Sequence, residues 1–171
     1  IETLKGHAKN DPEAREKFLS IMQAQAERMQ RLVADLMSLS RVEAAKHEAP
    51  TEPVDIYHLA REIAGEAVDA AKVEVTSDAA HPFVGGDRGQ LAQAIRNLVD
   101  NAIKYGKPGG EVKITIEASS TGWLLLNVRD DGEGITPEFL PQVFSRFRQA
   151  DSTSARRHGG LGLGLAIVKQ I

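Results

Sequence analysis

"NLVDNAIKYG", residues 97–106, lies between a run with helical spacing and a Pro-Gly-Gly loop. Asparagine is a mediocre helix former, because its amide competes for backbone hydrogen bonds. Yet Asn97, Asn101 and Lys104 stand four and three residues apart, a spacing that puts all three side chains on one face. Leu91, Ile95, Leu98 and Ala102 carry the same spacing on the opposite face, which predicts packing against a sheet. One side of this helix is core. The other presents two amides and an ammonium in a row, and that face needs a partner.

Working outward, "EVKITIEAS" and "TGWLLLNVRD" are two strands joined by a Ser/Thr/Gly turn. Upstream, Ile56, Leu59, Ile63 and Ala67 mark an amphipathic helix, and Val73 and Val75 alternate as in a strand. A short helix near 137–143, a polar segment and a final apolar run complete the chain. That order, with its adjacent hairpin, predicts an α+β two-layer sandwich rather than a doubly wound parallel sheet.

Residues 11–48 follow another pattern, without Gly or Pro after Pro12. Asp11 is a candidate N-cap with Pro12 at the first helical position. Phe18, Met22, Gln25, Met29, Leu32, Leu36 and Leu39 then form a heptad seam, apolar except at Gln25. Residues 1–9 are expected to end a preceding helix, with a reversal at Asn10-Asp11-Pro12, giving an N-terminal helical hairpin. Two arrangements fit: dimerisation into a four-helix bundle, or an ordinary intramolecular helix pair. Pro50 and Pro53 bracket a short stiff linker. The expected organisation is a helical domain over 1–48, a linker over 49–54 and the sandwich over 55–171.

Composition narrows the function. The 171 residues are 42% hydrophobic, enough for a packed core, and a net charge of -3 gives no general reason to expect nucleic-acid binding. The absence of cysteine excludes disulfides and thiolate chemistry and fits a reducing compartment. No apolar run approaches the roughly 18 residues of a membrane helix, and no signal peptide is visible. The chain starts at Ile1 rather than Met and stops at Ile171 inside an apolar run, so a fragment of a longer protein is expected.

Three further stretches carry candidate chemistry. "VRDDGEGI", residues 128–135, ends a strand in acids followed by Gly132 and Gly134. It is either an ordinary turn or a place where backbone approaches a ligand and a carboxylate accepts from an exocyclic amine. "HGGLGLGLAIVKQI", residues 158–171, leads alternating glycines into a helix. That is either a flexible hinge or a phosphate site of backbone N–H groups; it is neither a dinucleotide fingerprint nor a P-loop. Between them, "FSRFRQADSTSARRHGG" carries Arg146, Arg148, Arg156 and Arg157, as a solvated loop or as a lid over an anionic ligand.

Taken in order, these pieces are specific. Residues 87–165 closely resemble the catalytic ATP-binding domain of sensor histidine kinases, a two-layer sandwich of the Bergerat or GHKL type shared with gyrase, heat-shock chaperone and mismatch-repair ATPases. "NLVDNAIKYG" resembles the N box, "DDGEG" the first glycine box, "FSRFR" the F box and "GLGLGL" the second glycine box. "AERMQRLVADLMSLSRVE" is similar to the second helix of the dimerisation and histidine phosphotransfer domain, and the first 48 residues look closest to phosphate-sensing kinases.

The resemblance implies roles. Asn101 would coordinate magnesium that bridges the ATP phosphates; Lys104 would contact phosphate and Tyr105 pack beside the nucleotide. Asp130 would accept from the adenine amine, with Gly132 and Gly134 shaping that wall. Arg148 would reach the γ-phosphate, while Gly160, Gly162 and Gly164 would give backbone donors and flexibility at the lid's end, with Leu163 among the ATP-binding residues. Asn97 stands where the ATPase branches carry a glutamate base, and an amide takes no proton at neutral pH, which favours phosphoryl transfer over hydrolysis.

The phosphoacceptor is a departure. His7, His58 and His81 lack the acidic residue and Leu-Arg-Thr-Pro-like run that follow the family's histidine, and His47 is followed by Glu48 but then by Ala-Pro, beyond the seam, so the acceptor is expected upstream of Ile1. Leu161 also stands where Thr or Ser is usual, and the strands that usually follow the last helix are absent. The resemblance further implies a homodimer through the heptad helix, a response-regulator partner and a cytoplasmic setting. Anchorage in an inner membrane would run through regions outside this chain. A non-catalytic dimeric scaffold and a hydrolytic ATPase of the same superfamily are the rival readings. Intact Asn101, Asp130 and glycines disfavour the first; Asn97 and the heptad helix disfavour the second.

Overall fold

The computed structural model describes residues 11–44, 52–67, 71–149 and 162–171. The chain divides into two compact units, 1–37 and 38–171. Helix α1, Pro12–Ala44, starts in the first, where the sequence predicts. The Asp11 carboxylate accepts the Ala14 N–H at 3.0 Å, satisfying an otherwise orphaned donor and placing negative charge at the positive end of the helix. Within 12–37, Phe18 and Leu32 of the seam are half-buried and Met22, Gln25, Met29 and Leu36 exposed. The other arm of the expected hairpin lies outside the described residues, as does the Leu39 side chain.

The second unit runs β1 (Pro53–Asp55), α2 (Ile56–Glu66), β2 (Lys72–Ser77), β3 (Phe83–Gly85), α3 (Arg88–Tyr105), β4 (Glu111–Ala118), β5 (Leu124–Arg129), a 3-10 turn at Leu140–Gln142 and α4 (Gly164–Gln170). Its main sheet has the order β2-β4-β5, parallel between β2 and β4 and antiparallel between β4 and β5. Alternation along β4 sends Val112, Ile114 and Ile116 inward and Lys113 and Glu117 to solvent. Ile114 faces Val75 on one side and Val128 on the other. Helices α2 and α3 cover this face with Ile56, Leu59, Ala60 and Ile63, and with Ala92, Ile95 and Val99. The α+β two-layer sandwich is the observed architecture.

Two aspartates start the covering helices. Asp55 accepts the His58 N–H at 2.9 Å and Asp87 the Gln90 N–H at 2.8 Å, and neither cap was singled out in the sequence. The inward face of α3 also differs from expectation. It is Ala92, Ile95, Val99 and Ala102, while Leu91 and Leu98 flank it half-buried. Two alanines on the central line let the helix approach the sheet closely, with larger side chains spreading to the sides.

Two other expectations are corrected. Pro53 and Val54, assigned to the linker, belong to β1, which pairs antiparallel with the unforeseen β3; Val54 lies opposite Val84 and is buried. Proline is tolerated there because it opens a short edge strand. The helix expected near 137–143 is a set of turns around the 3-10 segment, since Pro141 withholds a backbone donor.

Arg96 joins α3 to the end of α2 through two parallel bonds to Glu66, Nε to Oε2 and Nη2 to Oε1, both 2.8 Å. The Arg96 hydrogen bond holds the Glu66 carboxyl below its ordinary 4.5, against a smaller desolvation effect. A carboxyl depressed in the folded state contributes stability that is present above its unfolded value and is lost as pH falls through the folded one. Both side chains are about half exposed, so screening limits the pair to about 0.2–1 kcal/mol. Arg96→Met is expected to lower the urea-unfolding free energy by about that much near pH 7 and by less near pH 3. An equal loss at both would show that the bond contributes nothing ionic.

Candidate functional site

Helix α3 is the spine of the site. Asn97 is half-buried, and its Nδ2 donates to the Gly164 carbonyl at 3.2 Å, where α4 begins. A Cβ on Gly164 would stand 3.5 Å from the Asn97 amide carbon, so the Asn97 side chain packs directly against the start of α4. One turn on, Asn101 is half-buried, and one turn further Lys104 places Nζ 4.7 Å from the centroid of the Tyr105 ring. Part of the partner that the polar face needs is therefore internal: α4 sits at the Asn97 end.

The first glycine box meets the other end. Gly132 packs against the Tyr105 carbonyl so tightly that a Cβ would overlap that oxygen and lie 3.0 Å from its carbon. Asp130 Oδ1 accepts the Gly132 N–H at 2.8 Å, an Asx turn that turns the chain beside α3. Among the described residues no donor reaches the second Asp130 oxygen, and the side chain is exposed. Gly134 follows with φ 77°.

The F box and second glycine box are joined by backbone. Phe147, itself at φ 61°, donates its N–H to the Gly162 carbonyl at 3.0 Å. Gly162 has φ 68°, and a Cβ there would fall 2.8 Å from the Arg148 nitrogen and overlap its carbonyl oxygen. Only glycine takes that conformation at that approach without strain. Leu163 is buried with Ile167, which anchors α4, while Arg146 and Arg148 extend exposed side chains. Gly160, Leu161, Arg156 and Arg157 lie outside the described residues.

The four motifs thus share one neighbourhood. α3 touches the second glycine box at Asn97 and the first at Tyr105, eight residues or roughly 12 Å of helix apart, which suits an elongated ligand. Among the described residues no group of three His, Asp or Glu could hold a metal ion. A cation near Asn101 would have one amide oxygen and would depend on ligand oxygens and water. His58 and His81 are exposed, and His7 and His47 lie outside the described residues. The sequence reading passed over Asp131, whose Oδ1 accepts the Lys107 N–H at 3.0 Å, and a cavity of about 250 Å³ between the loop after α3 and the glycine box.

Helix-mounted amides, an Asx-turned glycine box and a glycine-led helix are gathered on one α+β sandwich, whose sequence carries no P-loop. Residues 86–171 match the model of the histidine kinase-, DNA gyrase B- and HSP90-like ATPase family, and the chain belongs to that family. It is 39% identical over 159 residues to the phosphate regulon sensor protein PhoR of Pseudomonas aeruginosa, covering 91% of this chain and 36% of PhoR. It is 35% identical over 166 residues to the sensor-like histidine kinase SenX3 of Mycolicibacterium smegmatis, covering 95% of this chain and 43% of SenX3. A crystal structure of full-length ShkA in complex with AMPPNP superposes with a TM-score of 0.74 at 28% identity, over 92% of this chain and 33% of ShkA. These likenesses lie on the sensor-histidine-kinase side of the family. The chain spans about two fifths of the length of these curated relatives or less. No helix among the described residues is long and apolar enough to cross a membrane.

Proposed function

We propose that residues 53–171 form the ATP-binding catalytic domain of a two-component sensor histidine kinase and that residues 1–48 belong to its dimerisation and phosphotransfer bundle, with 49–52 leading from one to the other. The observation that carries this is the double attachment of α3, to Gly164 through Asn97 and to Gly132 through Tyr105. It lines up base-binding and phosphate-binding elements along one helix. Asp130 takes the adenine amine, Tyr105 packs beside the base, and Gly132 and Gly134 form the wall. Lys104 and Arg148 face the phosphates, Gly162, Leu163 and Gly164 close the far end, and Gly160 would add a backbone donor to them.

Asn101 fits a magnesium ion only as one hard oxygen ligand among phosphate and water oxygens, the mode magnesium prefers. Bound there, magnesium would offset phosphate charge. Asn97 supports transfer over hydrolysis: its amide is already committed to the Gly164 carbonyl and has no basic lone pair to activate water. The γ-phosphoryl then passes to a histidine upstream of Ile1 and from it to an aspartate of a response regulator. In the helical unit, exposed Leu19, Ile21 and Val33 flank the exposed seam residues Met22, Met29 and Leu36. That widened apolar stripe suits a four-helix bundle, hence a homodimer, better than a two-stranded coil. Attachment of such a kinase on the cytoplasmic side of a membrane would run through regions outside this chain.

The test is a longer chain that includes the upstream histidine, incubated with γ-labelled ATP. Acid-labile phosphate on the protein is the expected product, with little free phosphate released. Release of free phosphate without labelling would favour the hydrolytic ATPase. Neither product, from a chain that binds ATP, would favour the non-catalytic scaffold.

A further inference from the structure

We infer that Asp131 is a positioning residue for the nucleotide site, one that holds the loop after α3 in register with the glycine box; the inference rests on the ATP-binding reading above. Its Oδ1 accepts the Lys107 N–H at 3.0 Å. The same oxygen lies 3.4 Å from where a Cβ on Gly106 would stand, and the carboxylate fills the place of a Cβ on Gly110, with Oδ2 at 2.5 Å. The loop it grips is a tight turn: the Gly110 N–H donates to the Lys107 carbonyl at 2.8 Å, with Pro108 and Gly109 (φ 73°) between them. Pro then Gly at those places is the chemistry of a type II turn.

Electrostatics argues that Asp131 is not there for the helix. The C-terminus of α3 carries partial negative charge, so a carboxylate beside Gly106 is unfavourable to helix stability. The side chain is also exposed, so its removal leaves no core cavity. A residue that breaks a local rule without a packing gain points to function. What Asp131 gains is geometry. It ties Lys107 to the chain position after Asp130, while Gly132 abuts the Tyr105 carbonyl. Asp130 on one side and Tyr105 on the other are thereby held at a fixed spacing around the base, with Lys104 beside them for the phosphates.

The test uses the whole chain with AMPPNP and magnesium in calorimetry, and amide hydrogen exchange without nucleotide. Asp131→Ala is expected to weaken binding about tenfold, the effect of one lost bond to a charged acceptor, and to expose the Lys107 amide to exchange. Asp131→Asn keeps an oxygen acceptor and is expected to bind within about twofold of the unmodified chain, a rescue that a role through charge alone would not show. Gly110→Ala, which displaces the carboxylate by another route, is expected to copy Asp131→Ala and to add nothing to it. Unchanged affinity in Asp131→Ala, an equal loss in Asp131→Asn, or an unprotected Lys107 amide in the unmodified chain would each overturn the inference. A chain that protects the Lys107 amide yet binds no AMPPNP would leave the tether standing and overturn its nucleotide role.

Discussion

Gly132→Ala is expected to remove measurable AMPPNP binding and to lower the thermal midpoint by about 5–10 °C, the result of overpacking by one methyl group against rigid backbone. The obstacle is the Tyr105 carbonyl, the last of α3, which cannot turn aside as a flexible side chain would. The added methyl would also stand 2.8 Å from Asp130 Oδ1, the oxygen that accepts the Gly132 N–H. Relief requires the glycine box to move away from α3, which separates Asp130 from Tyr105 and Lys104. Differential scanning calorimetry and an AMPPNP titration on the same sample check both halves. A variant that melts and binds like the unmodified chain would show that this contact positions nothing.

Asp130→Asn tests the proposed base-binding group alone. The new amide can still use its oxygen to accept the Gly132 N–H, so the turn should survive and the melting temperature stay close to that of the unmodified chain. Its NH2 then takes the place of the second carboxylate oxygen, and a donor meets the donor amine of adenine. Loss of a bond to a charged acceptor together with that clash predicts weaker AMPPNP binding by about 30- to 100-fold. The guanine analogue, which presents a carbonyl at that position, is expected to lose less. Equal affinity for AMPPNP in the two proteins would remove Asp130 from the site.

The elements that were legible in the sequence are those with sustained patterns. Alternation in "EVKITIEAS", the cap at Asp11 and the helical spacing of "NLVDNAIKYG" correspond to β4, the start of α1 and the second half of α3, whose Asn97 amide meets Gly164. Short elements were not legible: β1 and β3 have three residues each, too few to alternate, and Pro53 disguised the first as linker. The inward face of α3 was displaced because large residues dominate a pattern by eye, whereas Ala92 and Ala102 sit centrally because they are small. Gly132 and Gly162 could be named from spacing, but their reason could not. The Tyr105 carbonyl and the Arg148 backbone that exclude a Cβ are 27 and 14 residues away in the chain. Asp131 was hidden by its neighbour, since in "DDGEG" only the fold distinguishes the acid that turns its own glycine box, Asp130, from the one that ties the loop after α3, Asp131.

The central claim is that the Asn97, Asn101 and Lys104 face of α3 holds metal and phosphates. Calorimetric titration of the chain with AMPPNP, with and without magnesium, tests it most directly. Saturable one-site binding that tightens with magnesium, and loses that tightening in Asn101→Ala, is the predicted result. A folded chain that does not bind AMPPNP, or binds it equally with and without magnesium, would contradict the claim.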